Sequence, residues 1–377
     1  MKLALCIFRY FSYGGLQKDF LRVVRECASR GHSVEVFCGR GSELPSEQTE
    51  GVRWHVLPVA GITNHARAKS FERRFARIAR RRKFDCVLGF NRMSGLDFYF
   101  AGDVCLAERV HARFTWFFRN VISRYRVFLR MERSVFATSS KARILVLTEA
   151  QKNEYRKWYG TQEERFFRLP VGFDSRCGNI KNTRQVRERV RDELKIGDAF
   201  AVALVGSDFR RKGADRAIKA IAALPETMRH RIKFFLIGDS EPEAFFSLAR
   251  SAGIKDSVFC LGGREDVPEL MCAMDLLVHP AREEAGGSVL IEAAVSHLPV
   301  ICTDICGFSS HIERWEFGRS VASPFVQEKF DAAFSNFVDF LMKSCDSRRA
   351  FPEDLNQYRR AAVVADCLEK FVGERTG

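Results

Sequence analysis

The chain has 377 residues, 46% of them apolar, which is length enough for two packed domains and too apolar for a disordered tail. Its 61 Lys and Arg against 47 Asp and Glu leave a net charge of +14, which disposes some surface toward phosphates, nucleic acid or anionic lipid. Twelve cysteines are scattered through apolar runs without a metal-type CxxC pair, a pattern that argues against a zinc module or a disulfide scaffold and suits free thiols in a reducing compartment.

The opening "MKLALCIFRYFSYGG" is too short in its apolar part, and broken too early by Arg9, for a signal peptide, so it reads as a first strand, Leu3 to Phe8. Further strand-like runs follow at Val34 to Cys38, Cys86 to Phe90 and Ile144 to Thr148. A second series lies at Phe200 to Gly206, Lys233 to Gly238, Val258 to Gly263, Leu276 to Pro280 and Val300 to Asp304. Continuous apolar runs separated by helix-length segments predict parallel sheets buried on both faces, hence an α/β, doubly wound architecture. Between the two series, Phe167 to Glu193 is rich in turn formers and basic residues and reads as a linker. The expected domains are 1–168 and 169–350, with 351–377 as a C-terminal helix packing back toward the first. No run of about 18 apolar residues is present, so no membrane-spanning helix is expected and the protein is assigned to the cytoplasm.

Three strand-to-helix junctions carry candidate chemistry. "YGGLQKDF" follows the first strand, and the amides after Gly14 and Gly15 are placed to approach an anion, although a bare Gly-Gly pair more often marks a simple tight turn. "LVGSDFRRKGADRAI" sets Asp208, Arg211 and Lys212 beyond a buried strand, where cations suit a diphosphate better than packing; a solvated basic turn is the plainer alternative. "EEAGGSVLIEA" places Glu284 and Glu292 eight residues apart with Gly286 and Gly287 at a helix start, so a phosphate has access to the amides and the two acids to sugar hydroxyls. Helix capping alone would also account for Glu284.

The run "HPAREEAGGSVLIEA" resembles the E-x7-E segment of retaining glycosyltransferases of the GT-B fold, family 4 type. Together with "CIFRYFSYGGLQKDFLRV", "TNHAR", "GFNRMSGLDFYFAGDVCLAE", "SRYR", "GSDFRRKGADR" and "LPVICTDICGF", the chain is similar almost throughout to the lipopolysaccharide core glucosyltransferase I group, although Ser94 stands where that pattern has proline. The resemblance implies two Rossmann-like domains facing across a cleft and a UDP-hexose donor, UDP-glucose first among them, with no cofactor and no metal. It further implies that Gly15 and Asp19 lie near the donor, that Arg211 and Lys212, beside Asp208, neutralise the diphosphate, and that Glu284 holds sugar hydroxyls. The amides of Ala285, Gly286, Gly287, Ser288 and Val289 then approach the distal phosphate, Glu292 holds the ribose, and backbone near Arg264 and Val267 holds uracil. Arg176 joins the donor set from "GFDSR", which is one residue shorter than the family spacing. Asp103 is the acid beside the sugar, as nucleophile or electrostatic stabiliser, and His65 is a candidate on the acceptor or sugar side, or a structural histidine. The expected reaction is front-face substitution through an oxocarbenium-like state, with the leaving phosphate helping to deprotonate the acceptor.

On the acceptor side, residues 106–136 interleave arginines with aromatics. Phe114, Phe118, Val121, Tyr125, Phe128, Glu132 and Phe136 are spaced roughly as one helical face. Arg113, Trp116, Phe117, Arg119, Arg124 and Arg126 suit an anionic membrane surface; a core helix with a solvated basic back is the alternative. The combined expectation is a monomeric hexosyltransferase, peripheral on the inner face of the inner membrane of a Gram-negative bacterium, with a lipopolysaccharide inner-core acceptor and no nucleic acid partner. Rival readings are a transferase acting on another glycan or lipid, and a non-catalytic basic protein bound to membrane or RNA, although no RNA-binding signature is present.

Overall fold

A computed structural model of the chain describes residues 1–12, 14–45, 49–113, 122–344 and 359–376. Two compact units emerge, Met1–Pro170 with Arg359–Gly377, and Val171–Tyr358.

The first unit runs β1 (Lys2–Ile7), α1 (Gly15–Ser29), β2 (Ser33–Gly39), β3 (Val52–Leu57), α2 (Asn64–Arg81), β4 (Cys86–Gly89), β5 (Phe98–Ala101), α3 (Leu106–Arg113), α4 (Ser123–Phe136), β6 (Arg143–Val146), α5 (Glu149–Tyr159) and β7 (Phe166–Arg168). Its seven strands pair in parallel in the order β3-β2-β1-β4-β5-β6-β7. The apolar runs are continuous because both faces are covered: Leu3, Ala4 and Leu5 are all fully buried. α1 buries Phe20, Val23, Val24 and Cys27, one helical stripe. Thr63 caps α2 by accepting from the Ala66 amide, and α5 runs from a Thr148 cap to Gly160 in the left-handed region. Ser94 donates both its amide and its hydroxyl to Glu72 Oε1, each at 3.0 Å; a proline there would lack the N–H.

The C-terminal helix of this chain, Arg360–Thr376, belongs to the first unit. Arg30 of α1 donates to Asp366 (2.6 Å) and Glu369 (3.0 Å), while Phe371 stands edge-on to Phe98 of the sheet at 5.2 Å. Buried Arg360 donates to Asp19 Oδ2 (2.7 Å) and to the Pro170 carbonyl (3.0 Å).

The second unit has helices α6 (Thr183–Glu193), α7 (Phe209–Lys212), α8 (Ala214–Ala222), α9 (Glu226–Arg229), α10 (Glu243–Ser251), α11 (Val267–Ala273), α12 (Ser288–Val295), α13 (Ser309–Arg314) and α14 (Gln327–Lys343). Its strands are β8 (Phe200–Val205), β9 (Ile232–Ile237), β10 (Val258–Gly262), β11 (Leu276–His279), β12 (Val300–Thr303) and β13 (Gly318–Val321), all parallel in the order β10-β9-β8-β11-β12-β13. The strand order reverses between β8 and β11, which opens a crevice at their carboxyl ends.

Two expectations require correction. Residues 167–193 are not merely a linker: they contain the end of β7, a 3₁₀ turn at Ser175–Gly178 and the whole of α6. α6 has few apolar residues to reveal it. Its place is set by Arg187 and Arg191, which pair with Asp275 at 2.5 and 3.1 Å and donate to the Ala273 carbonyl. Nor does Glu132 sit on an apolar helical face as an outlier. It is fully buried, and it accepts from the amides of Leu106 (2.8 Å) and Ala107 (2.9 Å) at the start of α3 and from the Tyr159 hydroxyl (2.7 Å). Phe114, Trp116, Phe117, Phe118, Arg119 and Val121 lie outside the described residues, as does the side chain of Arg113.

Candidate active site

In the second unit the β8–α7 and β11–α12 junctions meet at the point where the strand order reverses. Asp208 caps the single turn α7 by accepting from the Arg211 amide at 3.0 Å. Gly206, at the end of β8, leaves room for the Lys212 chain to fold back: a Cβ there would stand 2.8 Å from Lys212 Cγ. Gly213 ends the turn with φ +83°, and a Cβ on it would come within 2.1 Å of the Pro280 carbonyl, so only glycine allows this approach. Lys212 is consequently 8% exposed, with its ammonium against Glu284 Oε2. Arg211 remains about a third exposed, its Nε 3.9 Å from Asp208.

The loop that carries Glu284 is fixed from below. Arg216 donates to the Pro280 and Ala281 carbonyls, both at 3.0 Å, with Phe325 beneath its guanidinium at 3.6 Å. Burial, and secondarily Arg282, push the Arg216 guanidinium down to about 10. Arg282 makes a two-pronged pair with Asp215, each contact 2.7 Å, and donates its amide to the Arg211 carbonyl at 2.8 Å, so the two junctions are joined.

Fully buried His279, the last residue of β11, brings Nε2 to 3.3 Å from Glu284 Oε2. Burial pushes the Glu284 carboxyl up, but Lys212 and His279 outweigh it and hold the group well below the usual carboxylate range. Glu284 is therefore kept ionised at neutral pH, against the Lys212 side chain.

Ala285, Gly286 and Gly287 are buried, and Gly287, at φ +87°, opens α12 with no side-chain cap. The amides of Ser288 and Val289 thus begin a helix whose positive end is left to an anion. About one turn on, Glu292 Oε1 accepts from the Asp174 amide at 3.2 Å. Arg176 is held by Asp174 at 2.8 Å, which keeps its guanidinium's affinity for the proton above the ordinary value. Arg264 pairs with Asp266 at 2.6 Å just before buried Val267 begins α11. The strand ends thus bring Lys212 and Glu284 into contact, and place Glu292 on α12 above the Asp174–Arg176 pair. His279 and Asp174 escaped the sequence reading; a histidine closing a buried strand five residues before an acid was the available signal. Among the described residues no group of three or more His, Cys, Asp or Glu is placed to hold a metal ion.

The remaining candidates lie in the first unit. Gly15 begins α1, and Asp19 is engaged by Arg22 (3.1 Å) and Arg360 (2.7 Å). Asp103 follows β5 with its side chain exposed, while its carbonyl accepts from Gln151 (2.8 Å) and Tyr155 (3.3 Å). His65 Nε2 lies 2.9 Å from Ser123 Oγ, which ties the start of α2 to the start of α4. Both helices hide their acids and expose their bases. Glu72 and Glu132 are buried, whereas Arg67, Arg73, Arg77, Arg124, Arg126, Arg130 and Arg133 are exposed. No helix among the described residues is long and apolar enough to cross a membrane.

Two parallel α/β units, with a cation–carboxylate pair at the strand-order reversal of the second, define the class of GT-B glycosyltransferases. Comparison with known proteins agrees: residues 186–352 match the family described as Glycosyl transferases group 1, and residues 13–176 match Glycosyltransferase Family 4. The chain is 39% identical to the lipopolysaccharide glucosyltransferase WaaG of Escherichia coli K12 over all of its own length and 99% of that protein. A crystal structure of WaaG superposes with a TM-score of 0.86 at 35% identity, covering both chains completely. Anabaena HepE, solved with UDP and glucose, shares the fold at a TM-score of 0.71 and 16% identity, covering 100% of this chain and 98% of its own. The chain belongs to the glycosyltransferase family that includes the E. coli enzyme, and it is a glycosyltransferase.

Proposed function

We propose that the protein transfers glucose from UDP-glucose, with retention, to an inner-core heptose of lipopolysaccharide at the inner face of the cytoplasmic membrane. The observation that carries this reading is the buried Lys212–Glu284 pair at the strand-order reversal, in a chain 39% identical along its whole length to a lipopolysaccharide glucosyltransferase. The second unit takes the donor. Lys212 and the more exposed Arg211 neutralise the charge that collects on UDP as the anomeric C–O bond breaks, and the amides from Ala285 to Val289 add the positive end of α12. Glu284, kept ionised, accepts from sugar hydroxyls, and Glu292 from the ribose. Backbone near Arg264 and Val267 receives uracil.

The first unit takes the acceptor and contributes Asp103 to the sugar side, where an exposed carboxylate stabilises positive charge on the anomeric carbon. The exposed arginines of α2 and α4 supply attraction to anionic headgroups around residues 106–136. Purified protein offered a panel of UDP-sugars and lipopolysaccharide truncated after its heptoses tests the assignment by mass spectrometry. A hexose-sized gain that requires UDP-glucose and disappears in Glu284→Ala is expected. No gain with any donor, while UDP still binds, refutes the acceptor assignment.

A further inference from the structure

His279 has a chemical role that packing does not account for. Its imidazole is 0% exposed, yet it directs Nε2 at the very oxygen of Glu284 that Lys212 contacts, and among the described residues Nδ1 has no hydrogen-bond partner. An ionised carboxylate only accepts, so the imidazole proton in this pair sits on Nε2 and the lone pair on Nδ1. The charged groups around the ring are Glu284, from the loop after β11, and Lys212 and Arg211 of α7. Burial, with the two cations, lowers the affinity of the ring for a second proton more than Glu284 raises it. The ring is therefore a neutral donor at neutral pH.

We infer that His279 is a positioning residue that decides which oxygen of Glu284 meets the sugar, holding Oε2 inward beside Lys212 so that Oε1 is presented to a donor hydroxyl. The inference rests on the reading of Glu284 as the sugar-binding carboxylate. Its logic appears when a diphosphate arrives. Lys212 has three donors and divides them between phosphate and Glu284, so its grip on the carboxylate weakens at the moment of binding. His279 is enclosed at the end of β11 and remains a tether for which the phosphate does not compete. Without it, the carboxylate follows the lysine or turns, and the hydroxyl contact is lost while the diphosphate contact survives.

The test compares His279→Leu, which fills the space without a donor, with His279→Gln, whose amide nitrogen reaches about as far as Nε2. Melting curves verify folding; calorimetry with UDP alone reads the diphosphate side, and turnover of UDP-glucose reads the sugar side. In His279→Leu, UDP affinity is expected to stay within about twofold of wild type while kcat/KM falls about ten- to a hundredfold, the loss of one hydrogen bond to a charged group. His279→Gln recovers most of that loss. Nitrogen-15 NMR of labelled histidine, assigned by difference with the variants, is expected to show a neutral Nε2–H tautomer that does not titrate between about pH 7 and 9. Equal activity in His279→Leu, parallel loss of UDP and UDP-glucose affinity, a glutamine variant no better than leucine, or an Nδ1–H or titrating ring each overturns the inference. If His279→Leu does not fold, the glutamine variant and the NMR spectrum decide. Wild-type protein that transfers no hexose refutes the proposed function instead, and the tautomer still decides for or against His279 because it does not depend on turnover.

Discussion

Glu132 offers the sharpest test of how the first unit is held together. The substitution Glu132→Gln preserves shape and removes charge. In the native unit the carboxylate accepts from the Leu106 and Ala107 amides at 2.8 and 2.9 Å and from Tyr159 at 2.7 Å, and Arg92 Nε lies 3.0 Å away. A glutamine has one acceptor oxygen in place of two, and its NH2 is turned toward groups that only donate. It also takes from Arg92, 14% exposed at its side chain, its ion-pair partner, with Asp103 left as a charge of opposite sign near it. Breaking a buried pair from one side costs about 3–5 kcal/mol. At roughly 2–4 °C per kcal/mol for a domain of this size, the melting transition of the first unit drops by roughly 6–20 °C. Differential scanning calorimetry reads it, and UDP affinity, which the proposed function places in the second unit, is expected to stay unchanged. The double variant Glu132→Gln, Arg92→Met recovers part of the loss, because the stranded cation is gone. A Glu132→Gln protein that melts within 2 °C of wild type refutes the clamp.

Lys212→Met removes the group that holds the Glu284 carboxyl low, leaving burial opposed chiefly by His279. Because the native carboxyl lies below its ordinary 4.5, the stability it contributes is present above that pH and is lost only as pH falls toward the native value. In the variant the carboxyl rises, so an acid limb in kcat/KM moves upward into the measurable range, and UDP affinity falls by about tenfold or more. Superimposable pH profiles refute the pairing. For the membrane reading, sedimentation with phosphatidylglycerol vesicles is expected to fall steeply with added salt, and to weaken further when Arg67, Arg73, Arg124 and Arg126 are replaced by serine. Equal binding to neutral vesicles counts against it.

What the chain discloses before folding follows from where its interactions are local. β1, β2, β4, β6 and, in the second unit, β8, β9, β11 and β12 are readable because a strand enclosed on both faces is apolar at nearly every position, and the edge strand β10 is readable from its own apolar run, "VFCLG". β3, with Arg53 and His55 between its apolar residues, and β13, "GRSV", escape because polar residues break their apolar runs, which a sheet edge permits. α6 escapes for another reason: its arginines are satisfied by Asp275 and by carbonyls more than 80 residues away, a relation no helical period encodes. The same distinction applies to the site. Glycines and charges beyond strand ends announce a phosphate-sized crevice, so Lys212 and Glu284 are each visible as isolated residues. Their contact spans 72 positions, and it arises only because β8 and β11 become neighbours at the strand-order reversal. His279 belongs to that contact too, and it was concealed by its place in a buried strand, where a histidine looks like packing. The chemistry of the pair depends on that concealment: a histidine open to water would exchange its hydrogen bond with solvent and leave Glu284 to the lysine alone.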